Sequence, residues 1–189
     1  GAPPNGGASG FMIDGGLVVT ASHVLPSIYP SLKDGYMKAN GTPLTLVCYD
    51  KVAAYAILKP RGEVPSARPL SFHSNVRKGM EYTASYSDKK GISYPVSHSI
   101  GVMYEVPLSL QAKGVVLDIA PVNIRDEYMK LHSTEWKFII TGADGAKPGF
   151  SGGPVLSDGK VIGIVISGEN GAWGAISHVD NLKKLLAKP

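Results

Sequence analysis

Apolar residues in this chain come in short runs, each broken by glycine, proline or polar turn residues before it reaches helical length. Ser9-Gly10-Phe11-Met12-Ile13 and Leu17-Val18-Val19-Thr20-Ala21 read as two strands joined at Asp14-Gly15-Gly16, because Asp-Gly supplies the positive φ that a tight turn needs. That hairpin carries His23 at its far end. Further runs at Leu44–Tyr49, Ala53–Leu58, Tyr82–Tyr86, Ile100–Val106, Gly114–Ile119 and Phe138–Thr141 have strand length as well. Beyond Ser151, Pro154-Val155-Leu156, a turn at Ser157-Asp158-Gly159, Val161–Ile166 and Gly174–Ser177 predict a β-meander that closes a second barrel. Only the tail departs from the pattern. Leu182, Leu185 and Leu186 recur at helical spacing, which predicts one helix over about 180–187 with Asp180 or Asn181 as its N-cap. Arg61–Lys78 contains Pro65 and Pro69 and little periodicity, so it is expected to cross between two halves, residues 1–68 and 69–189.

Composition agrees with this all-β reading. Glycine (23) and proline (14) make up about a fifth of the 189 residues, as closely spaced turns require. Hydrophobic residues at 43% and charged ones at 18% lie far from the disordered regime. No apolar run approaches the roughly 18 residues needed to span a bilayer, and Gly1-Ala2-Pro3-Pro4-Asn5 lacks the regions of a signal peptide, so a soluble chain is expected. The single cysteine, Cys48, allows no disulfide within the chain and fits a reducing, cytoplasmic compartment. A net charge of +4 could suit an anionic partner. The lysines are scattered, however, with pairs only at Lys89-Lys90 and Lys183-Lys184, and no nucleic-acid partner is expected.

The chemistry concentrates in two segments. A serine hydroxyl is a weak nucleophile at neutral pH, so acyl transfer through it needs an adjacent imidazole and N–H groups to hold the oxyanion. Pro148-Gly149-Phe150-Ser151-Gly152-Gly153-Pro154 presents a serine on a glycine-rich turn, where the N–H groups of Gly149 and Ser151 can converge on one oxygen. Taken alone, it could be a hairpin loop with an inert serine. Val18-Val19-Thr20-Ala21-Ser22-His23-Val24 adds a histidine at a strand end. These segments resemble the Gly-x-Ser-Gly-Gly-Pro and Val-Val-Thr-Ala-Ala-His signatures of chymotrypsin-like serine proteases, in that family's order of histidine early and serine late. The resemblance implies two six-stranded antiparallel Greek-key β-barrels with a short C-terminal α-helix. It also implies a serine endopeptidase acting on a peptide or polyprotein, with His23 as general base, Ser151 as nucleophile, Gly149 and Ser151 as oxyanion hole, and neither cofactor nor metal.

The acid departs from the family pattern. A strand of the type Asp-x-Ala-x-Leu is matched by Ala54-Tyr55-Ala56-Ile57-Leu58, which puts Ala54 where aspartate belongs. Three accounts are open: Ala54 replaces the acid, Asp50 four residues upstream supplies it, or the enzyme works as a His–Ser dyad. The first predicts a chain that binds substrate and turns it over very slowly, since the carboxylate holds the histidine tautomer.

By the same resemblance, the pocket for the residue before the scissile bond lies between Gly145-Ala146 and Ile166-Ser167-Gly168. Asp144 is one place off the trypsin-like position, and Ile166 stands where Gln/Glu-cutting viral enzymes carry histidine, so a small or apolar pocket is expected. A small, cysteine-poor body without an Ile-Val-Gly-Gly start is similar to the polyprotein-processing proteases of positive-strand RNA viruses, which would work in the host cytoplasm. The alternatives are a bacterial heat-shock or glutamyl-type protease, or a pseudoprotease that holds peptide or RNA. His73, His98, His132 and His178 show no metal-ligand spacing, and Cys48 reads as a buried small hydrophobe.

Overall fold

The Asp14-Gly15-Gly16 turn forms as its composition predicts, with Gly15 and Gly16 at φ +88° and +78° and Ile13 N donating to Leu17 O at 2.9 Å. It joins β1 (Gly7–Met12) to β2 (Val18–Ala21), and a 3₁₀ turn, Ser22–Val24, follows at once. This computed structural model describes residues 7–25, 37–85, 99–102, 111–121, 124–125, 131–132, 136–141, 152–169 and 173–188.

β3 (Lys38–Ala39), β4 (Thr42–Asp50) and β5 (Tyr55–Pro60) complete the first run of strands. The β3–β4 hairpin turns on Asn40-Gly41, with φ +47° and +89°, a pairing of residues built for a two-residue turn. β6 (Glu81–Ser85), β7 (Ser99–Val102), β8 (Gln111–Pro121) and a small separate pair, β9 (Ile124–Arg125) with β10 (Leu131–His132), come next. β11 (Lys137–Thr141), β12 (Pro154–Ser157), β13 (Lys160–Glu169) and β14 (Trp173–His178) lead into helix α1 (Val179–Ala187). No described helix is long and apolar enough to cross a membrane.

Two closed six-stranded barrels result, in the orders β1-β2-β5-β4-β3-β7 and β11-β14-β13-β12-β6-β8. Every pairing is antiparallel except those of β7, which runs parallel to both β1 and β3. β7 lies in sequence between β6 and β8, two strands of the second barrel, yet it belongs to the first. By pairing with the outer edges of both β1 and β3, β7 closes the first barrel.

The crossover stitches the barrels together. Leu70 N donates to Met12 O (2.8 Å) on one side, and on the other Val161 N donates to Ser71 O (2.8 Å) and His73 N to Val161 O (2.9 Å). β13 is buried on both faces: Ile162 and Val165 join Val116, Ile139, Val155 and Ile176 in one core, while Val161 and Ile164 join Phe11, Val19 and Leu58 in the other. Its unbroken apolar run, Val161-Ile162-Gly163-Ile164-Val165, follows from that double burial.

Helix α1 begins one residue before the expected start and caps differently. His178 is its N-cap, accepting from Asp180 N through Nδ1 at 2.9 Å, so neither Asp180 nor Asn181 fills that position. Asn181 is instead drawn inward by β11. Its Oδ1 accepts from Lys137 N (3.0 Å), and its Nδ2 donates to Lys137 O (2.7 Å) and Ser177 Oγ (3.0 Å), which satisfies the buried amide. Leu182 and Leu185 then bury against the first barrel's core.

Candidate active site

His23 owes its position to strand pairing. β2 pairs with β5 from Val18↔Leu58 to Ala21↔Tyr55, and Ser22 N continues the contact by donating to Ala54 O at 2.9 Å. The 3₁₀ turn closes with Leu25 N on Ser22 O (3.1 Å) and leaves the imidazole mostly enclosed. Burial pushes its pKa down to about 4, so the ring is neutral at pH 7, as a proton acceptor must be. Its Nε2 is buried without a hydrogen-bond partner among the described residues. A neutral imidazole nitrogen can accept a hydrogen bond from a hydroxyl brought beside it.

Ala54, expected at the acid position, is tied by its carbonyl to the N–H of Ser22, the residue before His23. Ala54 is 3% exposed and sits at φ +68°, a left-handed conformation that alanine rarely adopts and that aspartate and asparagine tolerate better. Asp50 is engaged elsewhere. Its Oδ1 accepts from Val52 N and Ala53 N, both at 2.8 Å, while its carbonyl accepts from Ala54 N at 2.9 Å. The carboxylate thus holds the 50–54 turn, and no hydrogen bond or ion pair joins it to His23 among the described residues.

On the second barrel the described chain resumes at Gly152. It has φ +86°, and a Cβ there would overlap Ser9 O and Thr20 Oγ1, with Ala21 N 3.1 Å away. Glycine is therefore required twice over, by conformation and by the close approach of the first barrel. Thr20, fully buried, donates its hydroxyl to Ser9 O at 2.8 Å at the same spot. Gly152 N donates to Val165 O (3.2 Å) and Val165 N to Gly153 O (3.4 Å), which docks the turn on β13.

Of the residues expected to form the site, His23, Ala54 and Asp50 are placed as above, whereas Ser151, Gly149, Gly145 and Ala146 lie outside the described residues. Ile166, Ser167 and Gly168 fall on β13. Ser167 pairs with Ala175 and Gly168 with Gly174, and the register slips between Val165 and Ser167, leaving Ile166 as the extra residue of a bulge. A bulge of this kind re-aims side chains and recurs beside active sites.

The remaining histidines and the cysteine have structural settings where they are described. His73 Nδ1 accepts from Asn75 N at 3.0 Å, His178 caps α1, His132 lies on β10, and His98 falls outside the described residues. Cys48 is only half-buried on β4, against the full burial expected of it, and burial still pushes its thiol pKa up. No group of His, Cys, Asp and Glu suited to a metal ion occurs among the described residues.

Two contributors were not picked out from the pattern of residues. Tyr55, at the start of β5, is completely buried and donates its hydroxyl to Ser177 O at 2.8 Å on β14. Thr20 was visible only as part of a strand. A buried hydroxyl on an apolar strand is the signal that could have marked both.

Comparison with known proteins adds the following. Residues 8–164 match the trypsin-like peptidase domain. Among solved structures, the active form of the Rv3671c protease from M. tuberculosis superposes with a TM-score of 0.67 at 20% identity, covering 95% of this chain and 71% of that one. An inactive form of the Rv3671c protease superposes with a TM-score of 0.59 at 18% identity, covering 94% of this chain and 81% of that one. No curated protein sequence matches significantly.

Proposed function

Since the chain belongs to the trypsin-like peptidase domain family, we propose that it is a serine endopeptidase in which Ser151 attacks the scissile carbonyl and His23 takes the hydroxyl proton. The observation that carries this reading is the seat of Gly152, the residue bonded to Ser151, against Thr20 and Ala21, three and two residues before His23. Consecutive Cα atoms lie about 3.8 Å apart, so this contact favours a meeting of hydroxyl and imidazole. The buried Nε2, without a partner among the described residues, and the neutral ring support the same role.

In the proposed reaction Ser151 Oγ forms a bond to the carbonyl carbon as its proton passes to His23 Nε2. The N–H groups of Gly149 and Ser151 hold the oxyanion, and the imidazolium then protonates the departing amine, leaving an acyl-enzyme. Water, deprotonated by His23, releases the acid. Residues 166–168 on β13 offer the backbone edge along which a peptide would add as a strand.

Processing of a viral polyprotein rests only on the cysteine-poor composition. The Rv3671c structures this chain resembles belong to a bacterial protease, which favours the bacterial alternative. A second reading, a barrel that binds peptide with little turnover, is favoured by one observation: Ala54 at the acid position. Labelling with a fluorophosphonate probe tests both. Ser151 reacting faster than other serines supports the peptidase. Absence of labelling in this chain and after Ala54→Asp removes it in favour of the binding module.

A further inference from the structure

We propose that Tyr55 is a positioning residue that keeps the imidazole of His23 in register with the turn bearing Ser151. This rests on the peptidase reading above. Tyr55 directly follows the acid position, has no exposed surface, and is among the largest fully buried side chains of the described residues. Its hydroxyl donates to Ser177 O at 2.8 Å and lies 3.3 Å from His178 O, across a separation of 122 and 123 residues in sequence.

Two backbone hydrogen bonds hold the two halves of the site, and the phenol connects the strands that make them. On the first barrel, the peptide preceding Tyr55 places the Ala54 carbonyl that accepts from Ser22 N, beside His23. On the second, Ser177 pairs with Ile164 on β13, and the next residue's carbonyl, Val165 O, accepts from Gly152 N. Gly163 permits the tight β13–β14 approach at this point, since a Cβ there would overlap the Ser177 carbonyl.

Filling this space needs only an aromatic ring, which phenylalanine supplies. What the hydroxyl adds is a directed bond to a carbonyl of the other barrel, in a place with no exposed surface where water could stand in. A shift of about 1 Å between base and nucleophile costs roughly a hundredfold in rate, so one such bond can govern catalysis without governing folding.

The test combines Tyr55→Phe with Ala54→Asp and follows fluorophosphonate labelling of Ser151, peptide turnover and amide exchange. Expected are a labelling rate lower by roughly tenfold to a hundredfold, a fall in kcat with KM unchanged, and faster exchange at Ser22 and Gly152 together while Val19 is unmoved. Leu44→Ala, which opens a cavity in the first barrel, serves as a destabilised control and keeps its labelling rate. Tyr55→4-aminophenylalanine restores a donor and recovers the rate, and also covers the case in which the phenylalanine variant does not fold. Equal labelling with and without the hydroxyl overturns the inference. If no variant labels at all, the peptidase reading fails separately, and unchanged exchange at Ser22 and Gly152 then overturns the positioning role.

Discussion

Ala54→Asp is the substitution on which the chemistry of this chain turns. Ala54 sits at φ +68° with 3% exposure, its carbonyl bonded to Ser22 N and its amide to Asp50 O. A non-glycine residue in this conformation costs about 1–2 kcal/mol, less for aspartate and asparagine. Burial has lowered the pKa of His23 to about 4, and a carboxylate that reached the ring from position 54 would raise it. Loss of the acid in such a triad costs about ten-thousand-fold, or ~5.5 kcal/mol of transition-state stabilisation, so its return is expected to raise kcat by about that factor. The assay is turnover of a fluorogenic peptide library at pH 7, with His23 followed by NMR titration. Two controls separate the causes. Ala54→Gly relieves the backbone and is expected to add about 0.5–1 kcal/mol of stability with no gain in rate. Ala54→Asn supplies tolerance of the conformation without charge and leaves the His23 pKa low. An aspartate variant whose rate and His23 pKa both match the parent would refute this account and return the choice to Asp50 or to a dyad.

Three further outcomes follow from the same geometry. Gly152→Ala, with φ +86° and Ser9 O and Thr20 Oγ1 in the way, is expected to destabilise the fold by about 2–5 kcal/mol and abolish Ser151 labelling, read by urea denaturation and the probe. Asp50→Asn weakens the acceptor for Val52 N and Ala53 N, so it should cost about 1–2 kcal/mol of stability and leave the rate of the Ala54→Asp enzyme within a few fold; a loss near ten-thousand-fold would identify Asp50 as the acid. The His23 ring binds a proton at pH 6.5 when unfolded and only near 4 when folded, so the unfolded chain holds more protons between these values. Stability from this group is complete above about pH 6.5 and is lost as pH falls toward 4, by about 3 kcal/mol, which denaturation at stepped pH values would register. His178, also pushed down by burial, acts in the same direction.

Strand positions were legible because the signals are local. Gly15-Gly16 and Asp158-Gly159 supply positive φ at their own positions, and the runs near β4, β5, β11 and β13 alternate or fill as strands must. Asn40-Gly41 is an equally local signal, and it turns the β3–β4 hairpin. Caps were less legible. His178 wins the N-cap of α1 because Asn181 is claimed by the Lys137 backbone, a partner 44 residues away.

By itself, the order of residues determined that this is a many-stranded β protein with a histidine ending an early hairpin and a serine in a late glycine-rich segment. Those features depend on φ preferences and on apolar spacing within a few residues. Only the tertiary structure decided that β7 closes the first barrel, that Asp50 is committed to its own turn, that Gly152 meets Thr20, and that Tyr55 reaches Ser177. Each of these depends on which distant backbone groups need a partner once the barrels have formed, and hydrogen-bond demand at a distance leaves no mark on the sequence near either end.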